Sequence, residues 1–152
     1  SSRYQDLDLY FAGDGPLFKK IKNEVSINKL KRVMIIGKFD KGIDNLLIEN
    51  STICLQQGAV GLAINQSMLL KTSVIVADEN GPDSELIIQK ETGLRYEKGN
   101  KNELYKAIVK ILDDNSLRER MIKNANLKVN KLATVDKMAN KMLNKLKLLI
   151  NA

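Results

Sequence analysis

The chain has 152 residues, 43% apolar and 28% charged, and its nine glycines and two prolines are too few for a collagen-like or disordered chain. It contains no histidine, which excludes a Ser-His-Asp group and a histidine-bound metal within it. Its single cysteine, Cys54, cannot form an internal disulfide, which fits a reducing, cytoplasmic compartment. The net charge of +7 lies wholly in residues 101–152, because residues 1–100 carry 13 basic and 13 acidic residues. This surplus indicates either a solvated lysine-rich helix face or an anionic partner.

Short apolar runs alternate with amphipathic segments through the first two-thirds of the chain. The apolar runs predict strands at Leu7–Ala12, Val33–Ile36, Thr52–Leu55, Ser73–Ala77 and Leu94–Tyr96. Helical spacing between them predicts helices at Leu17–Ile27, Asp40–Glu49, Val60–Leu70 and Asp83–Gln89. Strands that alternate with helices imply crossover connections and a parallel sheet covered on both faces. We therefore expect a Rossmann-like, doubly wound α/β fold.

The rest of the chain predicts only helices. Apolar spacing places two of them at Asn102–Leu112 and Leu117–Val129, and Thr134 is a candidate N-cap for a last helix. One domain is expected at this length, with an α/β core over residues 1–98 and a helical segment over residues 99–152. Because the chain opens almost directly at a strand and offers few strands, we expect that further N-terminal sequence completes the protein.

Three loops that contain glycine should line one crevice, because open α/β sheets bind ligands beyond the carboxyl ends of their strands. The first loop, Gly13-Asp14-Gly15-Pro16, begins like the dinucleotide fingerprint. Phe18 stands in the place of its third glycine, so NAD binding is not favoured. The chain also has no P-loop motif, which excludes that mode of phosphate binding.

The second loop, Gly58-Ala59-Val60-Gly61-Leu62, joins a predicted strand to a predicted helix. Glycines at this place let backbone N–H groups approach an anion, which the helix dipole also favours. The spacing indicates either a diphosphate cradle or a tight turn without a ligand. One turn further on, Asn65 and Gln66 are candidates to hydrogen-bond sugar hydroxyls, or amides that pack against a neighbouring helix.

The third loop, residues 78–85, concentrates carboxylates directly after the Ser73–Ala77 strand. These carboxylates are candidates to hold ligand hydroxyls, although Asp83 could equally start the next helix. Asp6 and Asp8 lie on one face of the first predicted strand, as a metal site would require. They stand at its amino end, away from the expected crevice, so we predict solvated carboxylates and no metal.

In this order the motifs resemble the C-terminal domain of family four (group 1) glycosyltransferases, which are retaining, two-domain enzymes of the GT-B fold. The resemblance covers residues 7–149 and rests on LYFAGDGPL, MIIGKFD, GAVGLAINQSMLLKTSVIVADENG, ETGLRYEKGNKNELYKAI and ILDDNSLRERM. It implies that this domain binds a nucleotide-diphosphate sugar without a further cofactor and that an N-terminal domain outside this chain holds the acceptor. The GLAIN run is similar to a subgroup that assembles polysaccharides such as capsule or lipopolysaccharide.

The resemblance also implies roles for single residues. Lys38 and Phe39 fall in the segment that contacts the nucleotide base, and residues 58–62 fall in the loop that meets the donor diphosphate and sugar. The family's two glutamates, eight residues apart, correspond to Gly58 and Gln66, so this chain lacks both. Gln66 would then be a neutral and weaker partner for a ribose hydroxyl than a carboxylate.

Two further family features bear on catalysis. The acidic residue that follows the third-loop glycine, Gly81, corresponds to Asp83 or to Glu85. The Arg and Lys that neutralise the diphosphate precede the GDGP motif in the family and would lie upstream of Ser1. Without them the stabilisation of phosphoryl charge is incomplete, so we expect this fragment alone not to catalyse transfer. No catalytic residue is assigned within the chain.

Three functions follow as alternatives. The first is the donor domain of a glycosyltransferase that uses a nucleotide sugar, in particular a UDP-sugar, and has no nucleic-acid partner. The second is a non-catalytic domain of the same fold that has lost its donor, and the third is a basic domain that binds nucleic acid. The first would serve a polysaccharide or lipid-linked acceptor, with the basic C-terminal helices peripheral at the inner face of a membrane.

Overall fold

The computed structural model describes residues 4–38, 42–58, 61–78, 86–132, 139–140, 142–144 and 146–147. Its named elements, in chain order, are β1 (Leu9–Ala12), α1 (Phe18–Ile27), β2 (Val33–Ile36), α2 (Ile43–Glu49), β3 (Ile53–Gln56), α3 (Leu62–Leu69), β4 (Ser73–Asp78), β5 (Leu94–Glu97), α4 (Lys101–Asp113) and α5 (Asn115–Leu132). The chain separates into two compact units, residues 1–44 and 45–152. The expected alternation of strands and helices is confirmed, and the strands pair in parallel.

The first unit is built on the parallel pair β1–β2, with α1 as the crossover between them. Leu9 lies opposite Val33, and the Leu9 N–H donates to Arg32 O at 2.9 Å. The side chain of Arg32 contacts the residues just before β1, with its Nε 3.0 Å from Asp8 Oδ1 and 3.2 Å from Leu7 O. The strand therefore begins at Leu9, two residues later than predicted, because Arg32 engages the segment that precedes it.

The second unit contains the parallel sheet β3–β4–β5, with β4 in the centre. Alternate side chains of β4 enter two separate hydrophobic clusters. The first cluster joins Ile75 and Ala77 to Leu94, Tyr96, Ala107, Ile111, Leu117 and Met121. The second joins Val74 and Val76 to Ile64, Met68, Ile87, Ala125 and Val129. Helices thus cover both faces of β4, as expected for a parallel sheet.

Helix α5 contributes to both clusters through one stripe of side chains spaced four residues apart: Leu117, Met121, Ala125 and Val129. It passes the amino ends of the strands, as its asparagines show. Asn126 Nδ2 donates to Met68 O and Leu69 O at 3.1 and 3.0 Å, at the end of α3 just before β4. Asn124 Nδ2 donates to Glu91 O, shortly before β5, at 3.3 Å. The helix therefore packs beside the edge of the sheet that lies opposite the carboxyl ends.

The helix predicted at Asp83–Gln89 is wrong over residues 86–89, and residues 83–85 lie outside the described part of the chain. The buried Thr92 replaces helical hydrogen bonds here, because its Oγ1 donates to Leu86 O at 2.6 Å and accepts from the Ile88 N–H at 2.8 Å. Gln89 then forms a parallel bridge with Gly93. Local hydrogen bonding by a threonine competes with helix formation in this way.

The carboxyl-terminal part of the chain is helical, as predicted. Helix α4 begins after Asn100, whose side chain accepts from the Glu103 N–H at 3.1 Å, and α5 follows it directly. Residues 139–140, 142–144 and 146–147 are also helical, whereas the predicted N-cap Thr134 lies outside the described residues. In the described residues, every helix is too short or too polar to cross a membrane.

We predict that Gly93→Ala destabilises the second unit. A Cβ at this position would lie 3.0 Å from Val74 O and 3.3 Å from Ile87 Cγ2, so backbone would have to move. Overpacking of this kind costs about 1–3 kcal/mol, which chemical denaturation measures as a lower free energy of unfolding. Gly58→Ala is the matched control, because its Cβ would meet no atom within 4 Å, and we expect a change below about 0.5 kcal/mol. Equal stability of the two variants would contradict the prediction.

Candidate functional site

The carboxyl ends of three parallel strands share one edge of the sheet in the second unit. β3 ends at Gln56, β4 at Asp78 and β5 at Glu97. Helix α3 begins shortly after β3, and α4 shortly after β5. Ligands of open α/β sheets bind at this edge, and α5 lies at the opposite one. The candidate site therefore lies among the starts of α3 and α4 and the end of β4.

The amino end of α3 has the features of an anion site. Gly61 is its N-cap in an extended conformation (φ −119°, ψ −162°), and no side chain caps this end or supplies an acidic group in the first turn. The Ile64 N–H donates to Gly61 O at 3.1 Å, so the N–H groups of Leu62 and Ala63 are those that a ligand would meet. The side chain of Leu62 is 82% exposed. Gly58 is half-buried at the end of the preceding strand, and Ala59 and Val60 lie outside the described residues.

Asn65 and Gln66 are half-buried on the next turn of α3. The side-chain nitrogen of Gln66 donates to Asn45 Oδ1 on α2, which leaves its carbonyl oxygen for a ligand. Below them, Ser67 is fully buried and donates to Ala63 O at 2.7 Å.

A pocket of about 510 Å³ lies at the carboxyl ends of β4 and β5. Its lining residues are Asp78, Gln89, Arg95, Tyr96, Glu97 and Glu103. Burial raises the pKa of Tyr96, against a smaller opposing effect of Lys98, so its hydroxyl stays protonated at neutral pH. Three carboxylates against one guanidinium make this pocket unfavourable for a diphosphate and suitable for hydroxyl groups.

Arg95 and Gln89 are the functional candidates that the sequence did not reveal. Arg95 Nη1 donates to Asp78 Oδ1 at 2.8 Å, and its Nε donates to Ile87 O at 3.1 Å. The side chain of Gln89 pairs with both backbone groups of Arg95, at 2.8 Å from its N and 3.2 Å from its O. The sequence offered one signal for Arg95, which is a charged residue between Leu94 and the buried Tyr96 in a short strand.

The remaining predicted site residues are distributed as follows. Gly13, Gly15 and Lys38 belong to the first unit, where Gly13 follows β1 with φ 128° and Lys38 is exposed after β2. Phe39, Gly81, Asp83 and Glu85 lie outside the described residues. The crevice common to all three loops therefore stays a prediction. Asp6 and Asp8 contact Arg32, and no group of three His, Cys, Asp or Glu side chains in the described residues could hold a metal.

Cys54 lies on β3, with its side chain half-buried. Burial raises the pKa of its thiol, and a hydrogen bond with Ser67 lowers it by less. The thiolate is therefore scarce at neutral pH, and Cys54 is unsuited to act as a nucleophile.

The structure has a parallel sheet with helices on both faces, and a helix start of the kind that binds anions lies at the carboxyl ends of its strands. It is therefore a Rossmann-like α/β protein. The sequence model of the family "Glycosyl transferases group 1" matches residues 1–128. The chain belongs to this family. It is 27% identical over 125 residues to an uncharacterised glycosyltransferase of Methanocaldococcus jannaschii. The aligned part covers 79% of this chain and 35% of that protein.

Solved structures confirm the fold as that of a GT-B glycosyltransferase domain. Sucrose-phosphate synthase of Thermosynechococcus elongatus superposes with a TM-score of 0.82 at 24% identity, over 95% of this chain and 39% of its own. HepE of Anabaena, solved with UDP-glucose, has a TM-score of 0.83 at 18% identity, over 94% of this chain and 41% of its own. The chain thus spans well under half the length of these three proteins.

We predict that Ser67→Ala raises the pKa of Cys54 further, because it removes the hydroxyl that can turn from Ala63 O to donate to the Cys54 thiolate. The measurement is the rate of iodoacetamide alkylation as a function of pH. The midpoint of this profile reports the thiol pKa, however accessible the thiol is to the reagent. We expect the midpoint of Ser67→Ala above that of the unmodified chain, and both above that of the urea-unfolded chain. A midpoint that falls in Ser67→Ala would contradict this assignment.

Proposed function

We propose that this chain is the donor-binding part of a glycosyltransferase and that it binds a nucleotide-diphosphate sugar at the carboxyl edge of the β3–β4–β5 sheet. The start of α3 is the observation that carries the proposal. Its first turn has no side-chain cap and no acidic residue, and it follows a strand at the edge where such folds bind ligands. Membership of the group 1 family supports the reaction class, and transfer by the whole protein is part of the proposal.

The diphosphate would meet the N–H groups of Leu62 and Ala63. A helix start carries a partial positive charge of about half a unit and offers N–H groups without partners in the helix, so it stabilises a phosphate anion. Gly61 has no side chain to obstruct the approach, and a Cβ there would meet no atom within 4 Å. The exposed Leu62 side chain lies at the entrance to this position.

The other parts of the donor are assigned as the resemblance to the family implies. The carbonyl of Gln66, together with Asn65, would accept from ribose hydroxyls, and Lys38 with Phe39 would contact the base. The carboxylate of Asp83 or Glu85 would accept from the sugar. UDP is the favoured nucleotide because HepE, of the same fold, was solved with UDP-glucose.

The acceptor side of the proposal concerns the whole protein. We expect transfer with retention of configuration to a polysaccharide or lipid-linked sugar, such as those of capsule or lipopolysaccharide, held by an N-terminal domain. Helix α5 carries five basic residues and one acidic residue, and such a surface favours peripheral contact with an anionic membrane at its cytoplasmic face.

A second candidate is a domain of the same fold that no longer binds a donor. The observation that favours it is the replacement of the two family glutamates by Gly58 and Gln66, together with the contact of the Gln66 nitrogen with Asn45. Under this alternative the start of α3 would be a turn without a ligand. The two candidates differ in whether the chain binds UDP.

We predict that Leu62→Pro weakens UDP binding about tenfold, the loss expected for one hydrogen bond to a charged group. Proline removes the N–H of the first helical residue yet is well tolerated there, and the extended Gly61 before it is compatible. Isothermal titration calorimetry with UDP measures the dissociation constant. Leu62→Ala is the matched control, because it removes the same exposed side chain and keeps the N–H.

We expect Leu62→Ala to bind UDP like the unmodified chain. Equal affinity of Leu62→Pro and Leu62→Ala would contradict the role of the Leu62 N–H. Absence of UDP binding by the unmodified chain would instead support the domain that has lost its donor. Thermal unfolding of all three proteins in the absence of UDP checks that the fold is unchanged.

A further inference from the structure

We propose that Asn45 is a positioning residue for the ribose end of the donor site. By accepting a hydrogen bond from the side-chain nitrogen of Gln66, it holds that amide with the carbonyl oxygen left to accept from a ribose hydroxyl. This inference rests on the proposed function, in which Gln66 meets the ribose. It assigns to Asn45 no contact with the donor itself.

The contact joins two side chains of the second unit that lie on different helices. Gln66 is half-buried on the second turn of α3, and Asn45 is exposed on α2. Asn45 Oδ1 accepts from Gln66 Nε2, and no donor among the described residues reaches the carbonyl oxygen of Gln66. One polar atom of the Gln66 amide is therefore held by the protein, and the other remains for a ligand.

A separate contact supports α2 beside the end of α3. Thr72 is only 2% exposed, and its Oγ1 donates to Ile48 O on α2 at 2.6 Å. The N–H of Thr72 donates to Ser67 O on α3 at 2.9 Å, so this residue contacts both helices. Ile48 lies about one turn after Asn45. The Thr72 contact therefore remains when the side chain of Asn45 is removed.

The orientation of the Gln66 amide decides what it offers a ribose. A glutamine amide ends in an acceptor oxygen and a donor NH₂ group, and the torsion that exchanges the two is broad and roughly two-fold. An amide without a partner presents its oxygen for only part of the time and must be ordered when a ligand binds. The oxygen of Asn45 selects the NH₂ group, because two oxygens cannot form a hydrogen bond. The oxygen of Gln66, with two lone pairs, can then accept from both ribose hydroxyls.

The test is the ratio of two affinities, for UDP and for 2′,3′-dideoxyuridine diphosphate, which lacks both ribose hydroxyls. Because the two compounds share the base and the diphosphate, the ratio isolates the contribution of the hydroxyls. Calorimetry measures both dissociation constants for the unmodified chain, Asn45→Ala, Asn45→Asp, Gln66→Met and the double variant Asn45→Ala with Gln66→Met.

Asn50→Ala is the matched control. Asn50 is an exposed asparagine directly after α2, and its Nδ2 donates to Leu46 O at 2.7 Å. In the described part of the chain it makes no hydrogen bond with α3. A general weakening of α2 would therefore affect Asn50→Ala as well as Asn45→Ala, whereas loss of the amide contact would affect only Asn45→Ala.

We expect Asn45→Ala to lower the ratio about fivefold, the factor for a side chain that must be ordered on binding. The affinity for the dideoxy compound should hold. Asn45→Asp should keep the ratio, because a carboxylate accepts from Gln66 Nε2, and its repulsion of the diphosphate cancels between the two compounds. Gln66→Met should lower the ratio, with no further fall in the double variant. Asn50→Ala should keep it.

The outcomes separate this inference from the proposed function. An unchanged ratio in Asn45→Ala, an equal loss of affinity for both compounds, or a fall as large in Asn45→Asp would overturn the positioning role while donor binding stands. Equal affinity of the unmodified chain for the two compounds would overturn it as well, since no hydroxyl would then be held. If the unmodified chain bound no UDP, the proposed function would fail and the positioning role with it.

Discussion

Parallel pairing of β3, β4 and β5 is the constraint on which the candidate site depends. β4 is buried on both faces, so neither helix layer can be removed without exposing Val74, Ile75, Val76 or Ala77 to water. Because the strands run in one direction, their carboxyl ends meet at one edge, and the helices that follow them begin there. Helix α5 packs at the opposite edge. The packing of the core thus leaves one edge for a ligand.

Two chemically different places lie along that edge. The start of α3 presents backbone N–H groups without a neighbouring carboxylate in its first turn, which suits an anion. The pocket at the ends of β4 and β5 contains the carboxylates of Asp78, Glu97 and Glu103, which suit hydroxyl groups. A nucleotide sugar has both kinds of group in one molecule. The electrostatic difference between the two places is the physical basis for our proposal that the diphosphate binds at α3 and the sugar on the β4 side.

The sequence predicted the strands and helices whose buried apolar residues are regularly spaced along the chain. The run from Ser73 to Ala77 indicated a strand covered on both faces, and the structure confirms it. The helix predicted at residues 86–89 is wrong because the nearby Thr92 hydroxyl binds Leu86 O and the Ile88 N–H, and because Gly93 lies close to Val74 O on β4. The second of these contacts is non-local and is not visible in the sequence. Arg95 was missed for the same reason, because Asp78 lies 17 residues before it. The position of Gly61 at a helix start was predictable, because helix starts are marked by residues close to them in the sequence.

The most direct test of the central claim is a titration of the ¹⁵N-labelled chain with UDP, followed by amide chemical shifts, with uridine as the comparison. If the N–H groups of α3 bind the diphosphate, the amides of Leu62 and Ala63 shift strongly with UDP and weakly with uridine. UDP-specific shifts that centre on Arg95 and Glu103, with the α3 amides unmoved, would contradict the account.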